Sequence, residues 1–86
     1  MTEYSTVFKV EARAELRKVP RAQAMAILRK LAELELDPYA FGTTVLVGSS
    51  DYRRLRIGDY RVIYTVDRGW LVIVVVQVGR RSTSYG

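Results

Sequence analysis

Arginine and tyrosine side chains are concentrated in the last third of the sequence, around two apolar segments. Residues 51–86 carry seven arginines, no lysine and three aspartates, whereas residues 1–50 are nearly neutral. A guanidinium group is planar and presents paired N–H donors that match the oxygens of a phosphate. Arginines interleaved with tyrosines that can stack on bases are typical of single-stranded RNA recognition. The candidate binding residues are Arg54, Arg56, Arg61, Arg80, Arg81, Tyr52, Tyr60 and Tyr85.

The composition argues against several other kinds of chemistry. The sequence has no histidine and no cysteine, so zinc, haem and Ser-His-Asp sites are not expected. No glycine-rich loop ends in Lys-Ser or Lys-Thr, which argues against a phosphate-binding loop. Asp51, Asp59 and Asp67 lie at predicted turns, where structural roles are expected, and this disfavours catalysis by two carboxylates. We therefore expect no metal and no cofactor.

Length and charge indicate the general class of protein. The chain has 86 residues, of which 49% are hydrophobic, with a net charge of +5 and a pI of about 9.9. This is enough for one core and one domain, residues 1–86, and the pI is in the range of nucleic-acid binders. There is no signal-peptide pattern and no apolar run long enough to cross a membrane. We expect a soluble cytoplasmic protein with no membrane partner.

The first half of the chain predicts a strand followed by two helices. Thr2–Val10 alternates in polarity as a half-buried strand does. A short amphipathic helix is predicted around Ala12, Leu16 and Val19, and Pro20 suits the first turn of a second helix, Arg21–Leu36. The apolar stripe of that second helix consists of Ala24, Ile27, Leu28, Leu31 and Leu34.

The second half predicts an antiparallel meander, preceded by a segment, Tyr39–Ser50, that the pattern does not assign. Gly58-Asp59 is a tight turn, and Asp67-Arg68-Gly69 is a second connection. The three strands between these turns are Tyr52–Ile57, Tyr60–Val66 and Trp70–Val78. The last one barely alternates, which favours a central strand covered on both faces. The predicted fold is α+β, with a curved antiparallel sheet of the N-terminal strand and the meander packed on a two-helix hairpin.

Strand alternation divides the candidate residues between two faces of this sheet. Tyr52, Arg54 and Arg56 share one face, and the tight turn brings Arg56 close to Arg61 on the next strand. Four or five guanidiniums are then expected around one face of the sheet. The alternative interpretation is that arginines on an edge strand only keep that edge soluble.

Structural roles are predicted for several neighbouring residues. Tyr60 is available for stacking, but both Tyr60 and Tyr64 also suit core or cross-strand packing. Trp70, beside a turn, is expected to cap the core, and Arg53 and Arg68 are expected to lie at the surface.

Two C-terminal motifs resemble the RelE branch of the RelE/ParE toxin superfamily. They are Arg-Leu-Arg-Ile-Gly-Asp-Tyr-Arg-Val-Ile-Tyr (54–64) and Val-Gly-Arg-Arg-x3-Tyr (78–85). The order of strand, two helices and meander is similar to that family from residue 4 to residue 85. The resemblance implies a bacterial type II toxin that enters the ribosomal A site, contacts rRNA and cuts mRNA without a metal. It also implies neutralisation by a RelB-like antitoxin.

The resemblance further implies roles for individual residues. The family's reaction is attack of a ribose 2′-OH on the adjacent phosphate, which leaves a 2′,3′-cyclic phosphate and a 5′-OH. Arg61 matches the arginine that stabilises the phosphorane, Arg81 the general acid, and Tyr85 the tyrosine that stacks on the nucleotide. Arg56 matches a neighbouring arginine that contacts phosphate, and Arg54 falls at one of two lysine positions linked to general-base or charge-stabilising work.

The sequence departs from the family at both lysine positions, which carry Tyr52 and Arg54. Arginine keeps its proton and cannot readily serve as a base, so the base that activates the 2′-OH is unassigned. Two alternatives to the nuclease follow. One is a ParE-like toxin that binds and inhibits DNA gyrase, although such proteins generally lack the set Arg61, Arg81 and Tyr85. The other is a domain that binds RNA or an antitoxin without cutting.

Overall fold

The computed structural model describes residues 3–39, 43–45 and 52–80. Within them the elements follow the order strand, two helices, four strands. Their bounds are β1 Ser5–Phe8, α1 Val10–Arg17, α2 Arg21–Leu34, β2 Thr43–Val45, β3 Tyr52–Ile57, β4 Tyr60–Asp67 and β5 Val72–Arg80. The described strands form one sheet in the order β1-β5-β4-β3-β2. This confirms the α+β prediction and adds β2, which lies in the segment left unassigned by the sequence.

Backbone hydrogen bonds mark both ends of α2. The carbonyl of Pro20, the N-cap of α2, accepts the first intrahelical bond, from the N–H of Ala24 at 2.9 Å. At the other end, α2 stops at Leu34, two residues earlier than predicted, and the carbonyl of Glu35 accepts a bond from the N–H of Tyr4 at 2.9 Å. The helix therefore ends where the chain of β1 begins.

The core lies between the helices and one face of the sheet. The buried helical side chains are Ala12, Ile27, Leu31 and Leu34, and those of the sheet are Leu55, Tyr60, Val62, Tyr64, Ile73, Val75 and Val78. Leu28, predicted in the apolar stripe, is instead 41% exposed. The spacing of Ile27, Leu31 and Leu34 already fills the narrow stripe that faces the sheet, so Leu28 lies to one side.

The meander is antiparallel as predicted, but the N-terminal strand is not. β1 pairs with β5 in parallel, with Thr6 opposite Ile73 and Phe8 opposite Val75, so the sheet is mixed. Alternation along one strand shows which face is buried and carries no information on the direction of the partner strand.

β5 also differs from the strand covered on both faces that its apolar run predicted. Ile73, Val75 and Val78 are buried against the helices, whereas Val74 and Val76 on the rest of the strand are only partly buried. The face of the sheet away from the helices is called the open face below.

Tyr64 connects the central strand to the segment that follows α2. The side chain is fully buried, and its hydroxyl donates a hydrogen bond of 2.7 Å to the carbonyl of Pro38. A buried phenol needs such a partner, because an unsatisfied polar group in the core is costly. The core role predicted for Tyr64 is confirmed, and the contact anchors the strand that carries Arg61.

The connection between β4 and β5 is longer than predicted. Asp67 Oδ1 accepts a bond of 3.1 Å from the N–H of Trp70, and Leu71 has a positive φ of 56°. The chain therefore turns through Trp70 and Leu71, and β5 begins at Val72. Trp70 is 82% exposed, so the prediction that it caps the core is wrong. Its backbone is held in the turn, which directs the indole away from the core.

Candidate functional site

A two-residue turn fixes how β3 and β4 face each other. Gly58 has a φ of 57°, whereas Asp59 has no positive φ, which matches the hairpin turn that requires glycine at its first central position. Ile57 pairs with Tyr60 at the turn, and the next pair in the ladder is Arg56 with Arg61. Their β-carbons are therefore about 4.5–5.5 Å apart, as for any directly opposed pair.

Three arginines share the open face of this hairpin. Leu55 and Val62 are opposed and buried in the core, so the residues between them along each strand point to the other side of the sheet. Arg54 lies opposite Ile63, one ladder step from the pair Arg56 and Arg61. The face prediction for Arg54, Arg56 and Arg61 is thus confirmed by the register.

Tyr52 continues this face by one more step along β3. It lies opposite Thr65 and is 39% exposed, so its ring is accessible beside Arg54. The open face of β3 and β4 therefore combines three guanidiniums with one accessible aromatic ring, which is the combination that single-stranded RNA recognition uses.

The electrostatics of the group favour an anionic ligand. Within the described residues, neither Arg54 nor Arg56 forms an ion pair, whereas Lys30 pairs with Glu33 on α2. The Nε atom of Arg54 is buried and has no hydrogen-bond partner among the described residues. The pair Arg56 and Arg61 places two like charges directly opposite each other, an arrangement that is unfavourable in a sheet unless an anion binds between them.

The position of these strands argues against edge protection. β4 is the central strand of the described sheet, and β2 flanks β3 from Leu55 to Arg53. Arg61 and Arg54 thus lie on paired strands and have no free edge to protect. The alternative interpretation of these arginines is not supported at these two positions.

Tyr60 and Arg80 do not belong to this group. Tyr60 is 7% exposed and lies among the core residues, because its position in β4 points to the helices. It cannot offer its ring to a base, and the stacking role suggested for it does not fit the structure. Arg80 lies opposite Tyr60 in the ladder, with its Cζ atom 6.0 Å from the centre of the Tyr60 ring. Among the described residues, three arginines share the open face, and Arg81, which is also among the four or five expected, lies outside those residues.

Two further candidates, Arg81 and Tyr85, lie outside the described residues. Arg81 directly follows Arg80, the last residue of β5.

Arg53 has a structural role that the sequence did not indicate. Its guanidinium lies over the ring of Tyr39, with Cζ 5.1 Å from the ring centre, and its Nη2 atom donates a bond of 2.9 Å to the hydroxyl of Thr43. Both partners belong to the segment between α2 and β3. The predicted surface role is wrong, since Arg53 is half-buried and fastens this segment to the sheet.

Neither a metal centre nor a membrane span is found in the part of the chain that the structure describes. No group of three potential metal-binding side chains comes together within residues 3–39, 43–45 and 52–80. Among the same residues, no helix is both long enough and apolar enough to cross a membrane.

Comparison with known proteins gives the family. Residues 7–85 match the model of the ParE toxin of type II toxin–antitoxin systems, parDE, so the chain belongs to this family. The Toxin RelE of Mycobacterium tuberculosis is 28% identical over 83 residues, covering 95% of this chain and 86% of that protein. Together with the RelE structures below, this makes the chain a RelE-type toxin, and the resemblance drawn from its two C-terminal motifs is confirmed.

Two solved structures show the same fold. The RelE of an archaeal RelE–RelB complex from Pyrococcus horikoshii is 30% identical, with a TM-score of 0.79 and coverage of 98% of this chain and 100% of that one. A mutant of E. coli RelE in complex with a peptide of the antitoxin RelB is 27% identical, with a TM-score of 0.84 and coverage of 98% and 88%.

Proposed function

We propose that this RelE-type toxin is a ribosome-dependent mRNA endonuclease, which cuts mRNA in the ribosomal A site. The observation that carries the proposal is the placement of Arg54, Arg56 and Arg61 at adjacent ladder positions on the open face. Three guanidiniums at this spacing match the oxygens of consecutive phosphates or of one phosphate in its transition state.

The proposed reaction is attack of a ribose 2′-oxygen on the adjacent phosphorus, with the proton of the 2′-OH released to solvent. The bond from phosphorus to the 5′-oxygen breaks, and the products are a 2′,3′-cyclic phosphate and a 5′-OH. Negative charge grows on the phosphoryl oxygens in the transition state, and Arg61, supported by Arg54, stabilises that charge. Arg81 supplies the proton to the leaving 5′-oxygen, and Tyr85 stacks on the nucleotide. Arg56 holds a neighbouring phosphate.

Charge stabilisation and positioning carry most of the rate in this proposal. One preorganised donor to a developing oxyanion contributes about 10²–10³-fold, and in-line positioning of the 2′-oxygen contributes further. The ribosome and its rRNA supply part of that positioning. With charge stabilisation from the arginines and positioning from the ribosome, the proposed reaction does not depend on histidine.

An antitoxin partner follows from the same surface. The relatives from P. horikoshii and E. coli were solved with RelB or a RelB peptide bound. We expect a RelB-like antitoxin for this chain as well, with an acidic or amphipathic segment that neutralises the arginine face. Salt should weaken such a complex, because exposed charges are screened within about 8–10 Å at physiological ionic strength. A complex whose affinity is insensitive to salt would contradict this part of the proposal.

Cleavage on programmed ribosomes tests the nuclease directly. Purified protein is added to ribosomes stalled on a defined mRNA, and primer extension maps the new 5′ ends. We expect cuts in phase with the A-site codon, which disappear in Arg61→Ala and Arg81→Ala. The matched control is Arg68→Ala, which removes an exposed arginine from the turn between β4 and β5 and should leave cleavage unchanged.

The same preparation distinguishes the alternative toxin. The family description names ParE, and a ParE-like protein is expected to act on DNA gyrase. Intact mRNA together with inhibited DNA supercoiling would refute the nuclease. Intact mRNA with normal supercoiling, but with RNA binding retained, would indicate a domain that binds without cutting.

A further inference from the structure

A bulge in β5 places one polar side chain on the open face. Tyr64 pairs with Val75, but the preceding residue, Ile63, pairs with Gln77, so β5 holds one extra residue, Val76, at this point. Val75 and Val78 both lie in the core although three residues separate them. In a regular strand such residues point to opposite faces. The bulge removes this conflict and turns Gln77 to the open face.

Gln77 then lies beside the arginines. It occupies the same row across the sheet as Arg54, with Ile63 between them. Since neighbouring strands are about 4.8 Å apart, its Cα atom is about 10 Å from that of Arg54. Arg61 is a diagonal neighbour, opposite Gly79 in the next row, and diagonal neighbours about 7–8 Å apart are within reach of long side chains.

The chemistry of Gln77 is unusual for its position. It is the one polar side chain between Val72 and Val78, a stretch otherwise made of valine and isoleucine. It is half-buried, and its amide forms no hydrogen bond among the described residues. The amide atoms of Gln77 are not among the buried, unsatisfied polar atoms of the described residues, so a ligand can reach them. An amide carries donors and an acceptor together, which reading a base edge requires.

We propose that Gln77 hydrogen-bonds the edge of the RNA base next to the phosphate held by Arg54 and Arg61, and so contributes sequence preference. The inference rests on the proposed nuclease function and deepens it. In this proposal the arginines contact phosphate, which carries no sequence information, and Gln77 is a group beside them whose amide can distinguish one base from another.

The test measures preference as well as rate. Wild type, Gln77→Val and Gln77→Glu are compared on programmed ribosomes carrying mRNAs that differ only in the A-site codon. The ratio of kcat/KM between the best and the worst codon is expected to fall about five- to tenfold in Gln77→Val, the effect of losing one hydrogen bond. Gln77→Glu, which loses the donors, is expected to change which codon is preferred.

Thr65→Val is the matched control, since Thr65 is a polar residue of the same face that lies opposite Tyr52 and Val74. It should leave the ratio unchanged. An unchanged ratio in Gln77→Val, or an equal loss on every codon, would overturn the base-reading role. Thermal unfolding of each variant shows whether a loss comes from the fold.

A second measurement separates this inference from the proposed function. Short single-stranded RNAs that differ at one base are titrated with the protein, and the spread of their affinities is compared between wild type and Gln77→Val. If wild type leaves mRNA intact, the nuclease proposal fails. A smaller range of RNA affinities in Gln77→Val than in wild type would still support hydrogen bonding of Gln77 to a base. A spread that is the same in both proteins would refute it whatever the cleavage result.

Discussion

The opposed pair Arg56 and Arg61 should have opposite effects on stability and on RNA binding. Replacing Arg56 by glutamine removes one of two like charges that face each other across the ladder. The variant keeps most of the side chain's length and its exposed position on β3. We therefore expect Arg56→Gln to stabilise the folded protein and to weaken its binding to RNA.

The size of the stability gain depends on salt. With charge centres about 7 Å apart and the dielectric constant of water, the repulsion is about 0.6 kcal/mol before screening. Screening leaves about 0.5 kcal/mol at 0.01 M ionic strength, about 0.25 at 0.15 M and less than about 0.1 at 1 M. For a domain of this size, 0.5 kcal/mol corresponds to a rise in Tm of about 2–4 °C. Thermal unfolding at these three ionic strengths measures the trend.

RNA binding should respond in the other direction. Each phosphate contact to a single strand contributes about 0.7 to the slope of log K against log salt. Arg56→Gln should lower that slope by about this amount and reduce affinity most at low salt, as measured by titration of a labelled oligonucleotide. Arg68→Gln is the control, because it removes the same charge from an exposed turn. A variant that is less stable than wild type at low salt, or one with an unchanged slope, would refute the reasoning.

Three further variants test the hairpin, the core and the chemistry. Gly58→Ala should lower the free energy of unfolding by about 1–2 kcal/mol, because the φ of 57° is unfavourable for alanine even though an added Cβ meets no atom within 4 Å. Urea unfolding measures the change, and Gly69→Ala, at a glycine without a positive φ, is the control. Tyr64→Phe should lower the free energy of unfolding by about 1–3 kcal/mol, because it removes the buried hydrogen bond to the carbonyl of Pro38. Tyr52→Phe, on the open face, should unfold like wild type. Arg54→Gln should slow cleavage on programmed ribosomes about 100-fold, while Tyr52→Phe should cleave at the wild-type rate. A slow Tyr52→Phe beside an active Arg54→Gln would identify the tyrosine as the base.

The arrangement of the hairpin could be predicted because local chemistry determines it. Gly58-Asp59 specifies a two-residue turn, and such a turn fixes the register of every pair beyond it. Once Leu55 and Val62 are assigned to the core, the faces of Arg54, Arg56 and Arg61 follow from alternation. This part of the site needed no knowledge of the rest of the fold.

Features that depend on distant contacts could not be predicted in this way. The parallel pairing of β1 with β5 joins residues that are far apart in sequence, and the contacts of Arg53 depend on where the segment after α2 passes. The bulge at Val76 reverses the alternation of β5 halfway along an apolar run. A continuous run of valine and isoleucine has no pattern from which such a reversal could be read, so the sequence alone does not place Gln77 on the open face.

The proposed reaction does not require the imidazole that the sequence lacks. A base is indispensable only when proton removal dominates the barrier, and here the groups that converge on the open face are cations. The buried Nε of Arg54 lacks a hydrogen-bond partner among the described residues. A guanidinium whose Nε is buried and has no hydrogen-bond partner is stabilised more by an incoming phosphoryl oxygen than by solvent. The stabilisation is largest when that oxygen carries the extra charge of the transition state. In the proposed reaction, Arg54 would therefore act by binding the transition state rather than by proton transfer, and we expect loss of its charge to be the most damaging single change on β3.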